Sequence, residues 1–119
     1  MAERQMYSGS CHCGQVRYEV SLDLAQVASC NCSICQKRGA LWAYASREQF
    51  RLLAGESALT DYQFGRKVIH HVFCKSCGVG SFSHGPAPGG SDVVGVNVRC
   101  LDGVDPSTLN LVPFDGRSL

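Results

Sequence analysis

The chain has 119 residues, of which 45% are hydrophobic and 18% charged; this suits one folded domain spanning 1–119 and excludes a disordered chain. Eleven Lys and Arg stand against ten Asp and Glu, a formal net charge of +1, and the basic residues lie singly or in pairs such as Lys37-Arg38 and Arg66-Lys67, without the basic stripe of a nucleic-acid binder. No apolar run approaches the roughly 20 residues that cross a bilayer, and Met1 to Gln5 leads into no apolar targeting segment, so a cytoplasmic location with no nucleic-acid or membrane partner is expected.

The first ordered segment is expected over Tyr7–Val20, where Val16, Tyr18 and Val20 alternate with Arg17 and Glu19 in the period of a half-buried strand. Cys11-His12-Cys13-Gly14 forms a turn just before that alternation. A short strand at Val27-Ala28 runs into Cys30-Asn31-Cys32-Ser33-Ile34-Cys35, and Gln36 to Arg38 is expected as one helical turn stopped by Gly39. Leu41–Ala45 reads as another strand. Ser46-Arg47-Glu48-Gln49 has the form of a capping box, opening a helix that must be short. Ala58–Phe64 and Lys67–Phe73 are expected as a hairpin around Gly65. Cys74-Lys75-Ser76-Cys77-Gly78 makes a second cysteine turn, followed by a strand through Phe82. His84–Ser91, rich in Pro and Gly, reads as an irregular loop, Val93–Val98 as a strong strand and Pro106–Asn110 as a helical turn. The sum is a mainly β domain of mostly antiparallel strands.

Eight cysteines are the abnormal number. In a secreted chain they would suggest disulfides, but clustered cysteines in a reducing compartment read as metal ligands. Cys11 and Cys13 form C-x-C, and Cys74 and Cys77 form C-x-x-C followed by Gly78. In each turn two sulfurs converge on one point, and two such turns complete the four-sulfur shell of a structural zinc. A redox C-x-x-C would open a helix, whereas this one is expected between strands. Cys30, Cys32 and Cys35 offer three sulfurs and no obvious fourth. That is the pattern of a catalytic zinc with an exchangeable position, or of a closed site completed by Cys100 or a histidine; spacing alone leaves both open. Cys100 alone reads as a small buried apolar residue. Adjacent His70 and His71 must face opposite sides of their strand, so at most one faces any site. All four histidines, His12 and His84 included, read as solvent-facing or hydrogen-bonded rather than as ligands.

The segments Gly9 to Tyr18 (GSCHCGQVRY), Cys30 to Cys35 (CNCSIC) with Gly39, Phe73 to Gly78 (FCKSCG), and Val96 to Asp105 resemble the glutathione-dependent formaldehyde-activating family, shared with centromere protein V, over about residues 7–105. The resemblance implies a β-tent fold, in which sheets lean together over the metal sites. It implies a structural zinc on Cys11, Cys13, Cys74 and Cys77, a second, catalytic zinc with an exchangeable position on Cys30, Cys32 and Cys35, and no ligand role for Cys100. It implies two zincs per chain and a carbon–sulfur lyase activity, with glutathione or a similar thiol and formaldehyde or a related aldehyde as partners. Lys37 or Arg38, close to Cys35, would then offset the anionic sulfurs or hold a glutathione carboxylate. A non-catalytic zinc module serving protein interaction is the alternative.

Overall fold

The computed structural model describes residues 4–86 and 90–118. It is mainly β, with ten strands, a single α-helix among the described residues and short 3-10 turns. In chain order the strands are β1 (Gln5–Ser10), β2 (Arg17–Leu22), β3 (Val27–Cys30), β4 (Trp42–Ser46), β5 (Phe50–Ala54), β6 (Leu59–Tyr62), β7 (His70–Cys74), β8 (Phe82–Pro86), β9 (Asp92–Asn97) and β10 (Leu111–Phe114), with helix α1 (Ser33–Arg38) between β3 and β4. They make a three-stranded sheet, β1-β2-β5, and a seven-stranded sheet, β10-β3-β4-β9-β8-β7-β6. Among the described residues every pair is antiparallel except β10 with β3. No described helix is long and apolar enough to cross a membrane.

The alternation seen in the sequence sets the core. Tyr18, Val20 and Leu22 of β2, with Val16 just before it, point inward and meet Val94 and Val96 of β9, with Val98 just after it, each at 0% exposure. The Tyr18 ring stacks on Phe50 at 5.2 Å, and Phe50 lies 4.7 Å from Phe82, so an aromatic cluster joins the sheets. The Tyr18 hydroxyl donates to the carbonyl of buried Ser81 at 3.3 Å, which satisfies a polar atom that would be costly to bury alone.

The local turns follow the sequence closely. Ser46 and Gln49 close the capping box, with the Ser46 amide donating to Gln49 Oε1 at 2.9 Å, although the element it opens is a single 3-10 turn. Helix α1 starts earlier than expected, at Ser33, and ends where its Gly39 amide donates to the Cys35 carbonyl at 2.8 Å.

Two expectations need correction. His84 to Pro86 continue β8 instead of opening a loop, because β8 lies between β7 and β9 and both neighbours pair with it; Pro86 falls at its last position, where a missing amide is tolerated. The rest of that expected loop includes residues 87–89, which lie outside the described residues. The chain beyond Asn110, assigned no element from the sequence, forms β10 and returns beside β3.

Candidate metal centres

Seven cysteines gather into two clusters, Cys11, Cys13, Cys74 and Cys77 in one and Cys30, Cys32 and Cys35 in the other, with the sulfurs of each within 4.8 Å of one another. In the first, two matching turns face each other. Cys11 follows β1 and Cys74 ends β7, and each donates its amide five residues forward, to the carbonyls of Val16 and Val79, at 3.1 Å. Gly78, at φ +79°, takes the left-handed conformation that the second turn requires. Gln15 Nε2 donates to Ser76 Oγ at 3.1 Å and joins the turns directly. Cys11 and Cys74 sit in the main core, at 3% and 0% exposure, while Cys13 is exposed.

Sulfur spacing tests the fit to a metal. A tetrahedral zinc with bonds of about 2.3 Å sets its sulfurs about 3.8 Å apart. Cys13 Sγ lies 3.6 Å from both Cys11 Sγ and Cys74 Sγ, close to that edge and far from the roughly 2.05 Å of a disulfide. Without a cation the four thiols cannot all ionise. Backbone amides at Cys13 and Val79 hold the Cys77 thiol down to about 6. The Gln15 amide pulls Cys13 down as well, yet burial and three neighbouring sulfurs push it up to about 11. One sulfur carries charge at the expense of another, a conflict that a divalent cation removes.

The second cluster comes from a single hexapeptide. Cys30 ends β3, Cys32 precedes α1, and Cys35 lies within its first turn. The Cys32 amide donates to Cys30 Sγ at 3.4 Å, and Trp42 Nε1 donates to Cys35 Sγ at 3.1 Å. Burial, and after it the Cys32 sulfur, pushes the Cys35 thiol up to about 12. Burial opposes charge on Cys32 too, but the amide of Cys35 and neighbouring donors outweigh it and lower its pKa; none of them makes a regular helix-cap bond. Three converging sulfurs with N–H donors aimed at two of them suit a soft divalent metal such as zinc.

The C-terminal residues cover this cluster. Asn31 receives the Arg117 amide on Oδ1 and donates Nδ2 to Asp115, both at 2.9 Å, while its own amide donates to the Phe114 carbonyl at 3.1 Å. Gly116 is held so close that an added Cβ would lie 2.6 Å from Cys30 Sγ.

Between that cover and the large sheet, the sulfurs open into a cleft of about 320 Å³ whose walls include Trp42, Tyr44, Phe64, Ile69, His71 and Ser83. Apart from His71, weighed with His70 as a pair of which at most one faces a site, sequence reasoning did not single out these wall residues. Trp42 and Tyr44 carried a signal, since they share a strand face in the two-residue period while Ala43 and Ala45 face the core.

Of the adjacent histidines, His71 faces the cleft, stacked on Phe64 at 5.3 Å. Burial, then the Arg38 guanidinium, holds its pKa below 6.5, which favours the neutral ring. His70 instead meets Asp61 at 2.6 Å and stacks on His84. His12 is exposed, and no histidine joins either cysteine group among the described residues. Cys100 belongs to neither cluster; burial, and after it the sulfurs of Cys11 and Cys77, pushes its thiol up to about 11. It therefore sits beside the four-sulfur group and does not close the three-sulfur one. Arg38 lies over the Phe73 ring at 5.8 Å, and Lys37 lines a separate hollow beside Ile34 and Phe64.

The family model described as glutathione-dependent formaldehyde-activating enzyme matches residues 6–111. Among solved structures, the crystal structure of a Rhodobacter sphaeroides protein is similar, with a TM-score of 0.80 and 40% sequence identity across 89% of this chain and 97% of the other.

Proposed function

The chain belongs to the glutathione-dependent formaldehyde-activating enzyme family, and from that premise we propose that it is a zinc-dependent carbon–sulfur lyase acting in the cytoplasm on thiol adducts of formaldehyde or a related aldehyde, with glutathione as the thiol. The observation that carries this reading is the three-sulfur cluster lining an open cleft, in a chain whose other cluster has four sulfurs and is complete by itself.

In this reading Cys11, Cys13, Cys74 and Cys77 hold a structural zinc, and Cys30, Cys32 and Cys35 hold a second with an exchangeable position. A free thiol with a pKa near 8.5 is mostly protonated at pH 7, and zinc at the second site would supply stabilisation of the thiolate. The residues of the chain do the rest. Trp42 Nε1–H fixes the Cys35 sulfur and so the direction in which the cluster faces. Phe64, Ile69 and Trp42 make an apolar wall that displaces water from the reacting atoms. Neutral His71 offers the aldehyde oxygen a hydrogen-bonding group without adding a cation that would pair with the cysteine sulfurs. The thiol sulfur bonds to the aldehyde carbon, and the carbonyl oxygen takes the proton that the thiol gives up.

Thiols add to formaldehyde unaided, so the test is a stopped-flow rate of S-hydroxymethylglutathione formation against an enzyme-free blank. A rate above the blank that disappears in Cys35→Ser is expected. Calorimetry in buffers of different ionisation enthalpy should show proton release on glutathione binding, and binding should weaken as pH falls. Binding without rate enhancement would leave a thiol-binding zinc module. Neither binding nor rate, in protein carrying both zincs, would overturn the reading.

A further inference from the structure

The cleft over the three cysteines does not end at their sulfurs. At Tyr44, Ile69, Ser83 and Phe114 it meets a second chamber of about 410 Å³, whose far wall includes Ala28, Val93, Gly95 and His84. On the opposite side, across Ile34 and Phe64, lies a third hollow lined by Ser33, Lys37, Arg38 and Tyr62. The two flanks differ in chemistry. The hollow along α1 carries two cations. Among the described residues, the far chamber is lined by no acidic side chain, Lys or Arg, and its one titratable ring besides Tyr44, His84, is biased toward the neutral form chiefly by burial. Gly95 keeps the passage between cleft and chamber open: a Cβ there would come within 3.1 Å of Ser83 Oγ and 3.3 Å of the Tyr44 ring.

We propose that the site is two-armed, seating an anionic thiol along α1 and taking in the far chamber the apolar substituent of an aldehyde larger than formaldehyde. The inference rests on the thiol–aldehyde reading above and deepens it by naming the aldehyde class. Size argues for it first. A one-carbon aldehyde is comparable with a water molecule, whose share of liquid volume is about 30 Å³, and the chamber is more than ten times that. Charge argues for it second. Glutathione has a net negative charge, so its carboxylates are served by Lys37 and Arg38 and by nothing in the far chamber. A straight-chain aldehyde of about six carbons is matched to apolar walls, where each buried methylene is worth roughly fourfold in binding. The chemistry balances without any further reagent. The thiolate sulfur forms a bond to the carbonyl carbon, the π pair moves to oxygen, and that oxygen takes the thiol's proton; nothing is oxidised or reduced, and the reverse breaks the same bond.

The test measures hemithioacetal formation from glutathione with hexanal and with formaldehyde, each as kcat/KM expressed relative to its own enzyme-free rate. The enhancement for hexanal should exceed that for formaldehyde by on the order of a hundredfold, several buried methylenes at that value. Pro86→Trp on β8 and, separately, Val93→Trp on β9 each narrow the chamber at walls that the cysteine cleft does not share, and each should lower the hexanal-to-formaldehyde ratio at least tenfold. Two variants on different strands guard against one that fails to fold. An enhancement for hexanal no greater than for formaldehyde, or variants that leave the ratio intact, would overturn the two-armed site while leaving the thiol–aldehyde reading standing. If neither aldehyde is accelerated, that reading fails and takes this inference with it.

Discussion

The two cysteine clusters use the same donor atom in opposite ways. The four-sulfur group draws its residues from turns that lie far apart in sequence, after β1 and at the end of β7. Two of its members, Cys11 and Cys74, belong to the main core. The three-sulfur group comes from one hexapeptide and belongs to a small separate cluster with Ala40 and Trp42. A cation bound in the first closes a long loop of chain, while one bound in the second ties together only neighbours. Donor chemistry alone therefore does not decide what a centre does. On the proposed reading, what separates the two is which segments the ligands join and whether a side opens to a cleft.

Breaking the first cluster should have the largest effect. Structural zinc contributes on the order of 10–16 kcal/mol of apparent free energy in small zinc domains, against a total domain stability of about 5–15 kcal/mol. Cys77→Ser should therefore lose that metal together with cooperative unfolding, as read by elemental analysis and a thermal melt. A metal-free Cys77→Ser protein that still melts cooperatively would erase the contrast between the clusters.

Breaking the second should leave the fold. Cys35→Ser removes one ligand from a locally supplied set and also leaves the Trp42 N–H without its sulfur partner. It should lose about one zinc per chain and the catalysed rate, yet keep a cooperative melt lowered by only about 1–3 kcal/mol. Joint loss of both metals would mean that the clusters are coupled.

The smallest change sharpens the comparison. Asn31→Ala deletes the side-chain bonds to Asp115 and Arg117 that hold the C-terminal residues over the triad. Global stability should fall by about 1 kcal/mol, given two exposed hydrogen bonds, while thiol affinity at the cleft weakens measurably in calorimetry. Zinc at the four-sulfur site should stay in place.

Much of this contrast was legible in the sequence because it is local. C-x-C, C-x-x-C-G and C-x-C-x-x-C declare convergent sulfurs through spacing alone, and the Val16, Tyr18, Val20 alternation fixes which face of β2 is buried. Ser46 and Gln49 likewise signal their turn through contacts three residues apart. What stayed hidden depends on pairing across the chain. Leu111–Phe114 contains Pro113 and lacks a clear alternation, and it becomes a strand only because β3, about 84 residues earlier by register, offers a free edge. The same pairing delivers Phe114 and Gly116 to the cysteine cleft, so the cleft wall was hidden for the same reason. The punctuation at Gly85-Pro86 suggested a loop, and it was overruled by two flanking strands whose partners lie elsewhere in the chain.

The central claim is that one centre is closed and the other keeps an exchangeable position. Cadmium can replace zinc at sulfur sites, and cadmium-113 resonances of four-sulfur and three-sulfur centres separate clearly. The account predicts two resonances of equal intensity, one in the four-sulfur range that ignores glutathione and one in the three-sulfur range that moves when glutathione is added and is lost in Cys35→Ser. A single resonance, or two in the four-sulfur range that both ignore the thiol, would contradict it.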